Sequence, residues 1–71
     1  MLTLDDKIQH AERAVQNARR IVALQRGRVA SATALAVEGA ELLLDTLERT
    51  QRVLEDELDR LLAERVADPW S

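Results

Sequence analysis

The sequence predicts an all-α protein, an antiparallel two-helix hairpin that assembles with a second copy as a dimeric four-helix bundle. Three observations lead there. Apolar residues recur at alternating steps of three and four in two separate runs. Phe and Tyr are absent while Ala, Leu, Glu and Arg abound, a composition that favours helix over strand. The chain has 71 residues, no cysteine and one histidine, so neither disulfides nor an ordinary structural zinc site can reinforce it. A single core of this size supplies only about 3–5 kcal/mol, which leaves association as the natural staple.

The first helix is expected from about Leu4 to about Arg26. Leu4, Ile8, Ala11, Val15, Ala18 and Val22 form one heptad stripe. Thr3, with Asp6 three residues later, reads as an N-cap followed by a carboxylate at the positive end of the helix dipole. A second stripe, Val37, Ala40, Leu44, Leu47, Gln51, Leu54, Leu58 and Leu61, defines a helix over about 34–67. Asp68-Pro69 stops it, because the residue before proline avoids the α region, and a short tail with Trp70 follows. Leu35, Ala36, Leu42, Leu43, Leu62 and Val66 widen the second stripe beyond what one neighbouring helix can cover.

One long helix is the competing reading, and the phase of the stripes argues against it. Continued by sevens, the first stripe reaches Val29, Ala36 and Leu43, one residue out of step with Val37, Leu44 and Gln51. The bend is therefore expected within residues 27–33, with Gly27 ending the first helix and Ser31 or Thr33 capping the second. Folding about Ser31 pairs Val22 with Ala40, Ala18 with Leu44, Val15 with Leu47, Ala11 with Gln51, Ile8 with Leu54 and Leu4 with Leu58. A turn at Gly27-Arg28 aligns the heptads equally well. In either register Leu61, Leu62 and Val66 overhang the first helix, so the expected oligomer interface comprises Leu43, Leu54, Leu58, Leu61, Leu62 and Val66. Gln51, a polar residue on a core stripe, either fixes register or lies at the edge of the bundle with its amide in water.

Charge divides the chain. Residues 1–30 carry six basic and three acidic side chains, whereas residues 31–71 carry four arginines and ten acids. Opposite halves suit helices packed side by side. Within the second helix, Glu48 is spaced to reach Arg52, and Asp56 to reach Arg60. No apolar run approaches the roughly 20 residues that span a bilayer, and Met1-Leu2-Thr3-Leu4-Asp5-Asp6 lacks the basic and apolar regions of a signal peptide. No membrane association and a cytoplasmic address are the default expectations.

Several segments together resemble a group of short uncharacterised alphaproteobacterial helical-hairpin proteins. They are Glu12-Arg13, Arg19-Arg20-Ile21-Val22-Ala23-Leu24, Gly39-Ala40-Glu41-Leu42-Leu43 and Leu58-Asp59-Arg60-Leu61-Leu62-Ala63-Glu64. The resemblance spans most of the chain and implies a hairpin of similar length. The turn segment Gly27-Arg28-Val29-Ala30-Ser31-Ala32-Thr33 lacks the Asp that the group carries there. No activity is implied by the resemblance.

Catalytic vocabulary is sparse. His10 lies off the apolar stripe, with Lys7 where a Glu-x-x-His metal motif would need a carboxylate. A phosphorelay histidine on a dimeric hairpin is the architecture of histidine-kinase dimerisation domains, but their acidic-residue and downstream-proline signature is missing, so phosphotransfer through His10 is the weakest functional reading. Glu55, Asp56, Glu57 and Asp59 form an acidic run on a surface without a desolvating cleft, near Arg52 and Arg60. There is no serine–histidine or cysteine–histidine pairing and no phosphate-cradling glycine loop. The expectation is a non-enzymatic, cofactor-free protein–protein interaction module whose partner is itself or an unidentified protein. The alternative is a Rop-like RNA-binding regulator using Gln9, Arg13, Gln16 and Arg20, which share one helix face, although the chain is acidic and offers that face no aromatic residue for stacking. Trp70 and the apolar Leu24, Leu35, Leu42 and Val53 are further candidate contacts.

Overall fold

Thr3 opens the first helix as its sequence position suggests. In the computed structural model, which describes residues 2–67, the Thr3 hydroxyl oxygen accepts the Asp6 backbone N–H at 3.1 Å. The Asp6 carboxylate accepts the Thr3 N–H at 3.2 Å. This reciprocal box satisfies two donors that a helix start leaves unpaired. From it runs α1, Leu4–Ser31. After a turn over residues 32–36, α2 runs Val37–Ala67 and packs antiparallel along α1. The protein is an all-α hairpin. The expected stop at Asp68-Pro69, and Trp70 beyond it, lie outside the described residues.

The turn falls later than the glycine suggests. Gly27 lies inside α1 with an ordinary negative φ, so it does not adopt the left-handed conformation that ends helices. Helix continues because burial continues: Gln25 extends the stripe past Val22 and is 2 % exposed, and Val29 is half-buried. Ser31 does not cap α2 either. Its hydroxyl donates backwards to the Gly27 carbonyl at 2.9 Å, inside α1. Extended backbone at Ala32 then breaks the helix, and the Thr33 carbonyl accepts the N–H groups of both Ala36 and Val37 at 3.0 Å to start the next.

The later turn slides α2 by about one heptad relative to α1. Leu54 lies beside Ala14 and Ala18 rather than in a layer with Ile8. Leu61 lies beside Lys7, Ala11 and Ala14 rather than beyond the end of α1. The expected overhang of Leu61, Leu62 and Val66 is therefore corrected: Arg65, in the last turn of α2, still faces Asp5 in the first turn of α1 at 4.0 Å. Heptads repeat every seven residues, so a slide of seven preserves stripe-on-stripe packing and spacing alone cannot detect it.

The core is thin and lopsided. Ile8, Val15, Ala18 and Val22 of α1 and Leu61 of α2 are its buried apolar residues. Burying each of the larger ones contributes ~1.5–3 kcal/mol. Leu44, Leu47, Leu54, Leu58 and Leu62 reach the seam but stay half-buried, because one neighbouring helix cannot cover a stripe this wide.

Gln25 is the buried polar residue of the seam. Its side-chain amide donates to the Ala40 carbonyl at 2.9 Å and its oxygen accepts from Arg28 at 3.5 Å. Gln51, the expected register residue, is half-buried and donates to Glu55 at 2.6 Å within its own helix. The polar group bonded across the seam is thus Gln25, near the turn.

Candidate interaction surface

Two long sides flank the seam, and the helical period assigns residues to each. On one side Arg19 meets Glu55 at 3.7 Å, Arg26 meets Glu48 at 3.6 Å and Asp5 meets Arg65 at 4.0 Å. These links cross from α1 to α2, and Arg19 and Arg26 are spaced by the same heptad as Glu48 and Glu55. A depression on this side is lined by Arg26, Glu48, Gln51 and Arg52. Glu48 is turned to Arg26 rather than to the expected Arg52. Arg60 pairs with Glu57 and Glu64 rather than with Asp56.

The other side is uncharged along its middle. Ala14, Asn17 and Ile21 of α1 and Leu47, Thr50 and Leu54 of α2 line a furrow of about 220 Å³, with Ala18 at its floor. It shares Ala14 with a wider depression at the open end of the hairpin, and Thr50 and Leu54 with a third that reaches Val53. Ile21, Leu24, Leu43 and Val53 are all exposed large apolar residues on this side, Val53 by two-thirds, whereas Leu42, one heptad before Arg49, faces away from α1. Thr46 and Thr50 make the side more apolar than their names suggest. Their hydroxyls donate to the Leu42 and Thr46 carbonyls at 3.1 and 3.0 Å, which occupies the polar group within the helix and leaves the methyl to the surface. Charge returns only at the ends and the margin. Lys7, His10, Glu57 and Arg60 border the open-end depression, Arg28 lies near the turn, and marginal Arg49 is held by Asp45 at 2.9 Å.

At the open end Arg60 donates to both Glu57 oxygens, at 2.6 and 3.0 Å. That hydrogen bonding, with Coulombic help from Arg60 and Lys7, holds the Glu57 carboxyl below its ordinary value, and the same contact raises Arg60. Both groups are exposed, so the pair is a surface feature of small energetic weight.

The structure separates the residues expected at an oligomer interface. Leu43 and Leu54 lie on the uncharged side. Leu61, 4 % exposed, is consumed inside the hairpin and has no surface left for a partner. Leu58 and Leu62 are half-buried in the seam, and Val66 is exposed at the end of α2 towards the ion-paired side. Of the other apolar candidates, Leu24 and Val53 join the uncharged side, Leu42 faces away from α1, and Leu35 stands 99 % exposed in the turn. Ile21 and Thr50 escape a reading of the core stripes because each sits one position before or three positions after a core residue. The signal that finds Ile21 is a second stripe, Ala14, Asn17, Ile21 and Leu24, displaced by one residue from Val15, Ala18, Val22 and Gln25, and Thr50 lies on the matching row one residue before Gln51.

Gln9, Arg13, Gln16 and Arg20 are all exposed on the part of α1 that faces away from α2. Among the described residues Arg13 and Arg20 have no ion-pair partner. His10 is exposed at the open end. Among the described residues no group of three or more His, Cys, Asp or Glu side chains is placed to hold a metal, and no helix is long and apolar enough to cross a membrane. No known family, curated protein or solved structure matches the chain.

Proposed function

We propose that the protein is a non-enzymatic interaction module, acting in the cytoplasm, that works by covering the uncharged side of its hairpin with a second helical layer. The observation that carries this reading is the continuity of that side: a furrow joined to two further depressions, with Ile21, Leu24, Leu43 and Val53 exposed along it. A standard interface needs about 800 Å² per partner, about one-seventh of the 5580 Å² that the chain exposes. One long side of a hairpin is enough to supply it. The resulting assembly is a four-helix bundle with coiled-coil-like packing. Kinship with the alphaproteobacterial hairpins named above is part of the same proposal.

Sedimentation equilibrium over a concentration series tests it. A self-associating chain has at least twice the 8.0 kDa mass, and Ile21→Glu, which places a charge in the furrow, shifts it towards the single-chain mass. A wild-type protein that stays at one chain mass at high micromolar concentration, with undiminished thermal stability, defeats the self-association reading.

A second reading has one specific observation in its favour. Arg19 and Arg26 are engaged by carboxylates of α2, yet Arg13 and Arg20, at the same heptad spacing, are left to solvent beside Gln9 and Gln16. A face of this kind suits phosphate contacts with RNA. A salt-sensitive RNA mobility shift that disappears in Arg13→Ala/Arg20→Ala supports it, and no shift at low salt removes it.

A further inference from the structure

The geometry points to a particular partner and orientation: a second copy of this chain, related by a two-fold axis parallel to the hairpin, with both turns at the same end and each α1 lying against the partner's α2. This rests on the interaction-module reading above and goes beyond it in committing to the occupant and to its direction. A two-fold axis can place two uncharged sides face to face in two ways. If the turns lie at the same end, α1 meets the partner's α2. If they lie at opposite ends, α1 meets α1 and α2 meets α2.

Three observations favour the first. The uncharged side is sterically unequal: α1 lines the furrow with Ala14, Asn17 and Ala18 beside Ile21, whereas α2 brings Leu47 and Leu54 with Thr50 between them, and Leu43 is exposed one turn before Leu47. Close packing sets large against small. Placing α1 on the partner's α2 does this, while the reverse arrangement stacks leucine on leucine and leaves alanine opposite alanine.

Charge points the same way. Residues 1–30 carry an excess of three positive charges and residues 31–71 an excess of six negative ones. With the turns together each helix is flanked by two helices of the opposite half. With the turns apart, like halves meet across the interface, at a cost in association. Near the open end the first arrangement brings Lys7 and His10 of α1 towards the partner's Glu57 and the partner's Glu64.

Finally, the uncharged stretch is not centred on the hairpin. On α2 it begins at Leu43, near the helix start at Val37, but ends at Leu54, well short of Ala67. On α1 it runs from Ala14 to Leu24, nearer Ser31 than Leu4. Only with the turns together do the two stretches superpose along their whole length without lengthwise slip, and the charged open ends then meet one another instead of covering apolar surface.

The chain has no cysteine, so Ala34→Cys, in the exposed turn, gives a unique site for a nitroxide label. Pulsed electron–electron resonance on the full chain then reads the turn-to-turn distance. Turns at the same end predict a distance within about 30 Å, given helices spaced 8–10 Å apart plus two label arms. Turns at opposite ends predict about 40 Å or more, since α1 alone, at 28 residues, is roughly 42 Å long. The same label at Thr33→Cys guards against a locally disturbed turn. Mass is measured on the same samples. A dimer with a long distance at both sites overturns the orientation while leaving self-association intact. A chain that stays monomeric overturns both.

Discussion

The two long sides of this hairpin are built from the same helices and the same heptads, and they solve different problems. One is closed by cross-helix ion pairs, Arg19 to Glu55 and Arg26 to Glu48, with Asp5 facing Arg65 at the open end. Exposed pairs of this kind each contribute at most about 1 kcal/mol, and water can solvate them without loss. The other side presents Ile21, Leu24, Leu43 and Val53 to solvent and ties its threonine hydroxyls into the helix. The first side is complete as it stands. The second becomes favourable only when something covers it, and a core whose buried apolar residues are Ile8, Val15, Ala18, Val22 and Leu61 gives the chain reason to cover it.

Mutations in the seam beneath both sides have the largest expected effect. Leu61→Ala removes a residue that is 4 % exposed and should cost ~2–5 kcal/mol, enough to unfold a domain of this size; loss of far-UV helical signal at ambient temperature measures it. Gln25→Ala removes the cross-helix bond to Ala40 and should cost ~1–2 kcal/mol in denaturant unfolding. If its midpoint does not move, Gln25 does not hold the register.

The sides themselves are separated by a matched pair of charge changes. Ile21→Glu should lower the associated mass, whereas Gln16→Glu, on the outer part of α1, should leave the mass unchanged and the stability within about 0.5 kcal/mol of wild type. Equal behaviour of the two variants would erase the distinction drawn between the surfaces. Gly27→Ala should raise stability by ~0.5–1 kcal/mol, because Gly27 is helical and an added Cβ meets nothing within 4 Å. The opposite sign would mean that Gly27 marks a bend after all.

The smallest effect is the pH response of Glu57. Its folded-state value is depressed by the Arg60 hydrogen bond, so its contribution is present above the ordinary carboxylate value of 4.5 and fades as pH falls through the lower folded value. Arg60→Gln should flatten the melting temperature against pH in that acidic window, and an unchanged profile would show that the pair contributes nothing measurable.

Much of the fold was legible in the residues. The stripes from Leu4 to Val22 and from Val37 to Leu61 specify two helices, and the one-residue slip between them argues against a continuous rod. Thr3 and Asp6 mark where α1 begins. The candidate surface was legible only in fragments: Leu24, Leu43, Leu54 and Val53 stand out as apolar, but their membership of one side depends on the direction from which α2 approaches. Gly27 drew the expected turn forward because glycine commonly ends helices, yet here its conformation is helical and the stripe runs on to Gln25.

By itself, then, the sequence determined helix type, helix number, the start of α1 and the antiparallel association of oppositely charged halves, since period and propensity are local properties of the chain. Tertiary structure alone decided that the turn lies over residues 32–36, that Leu61 is buried instead of overhanging, and that Ile21 and Thr50 share a furrow. The physical reason is the heptad's own symmetry. Sliding one helix by seven residues leaves every stripe matched, so only the bonds made in three dimensions, Gln25 to Ala40 foremost, distinguish one register from the next.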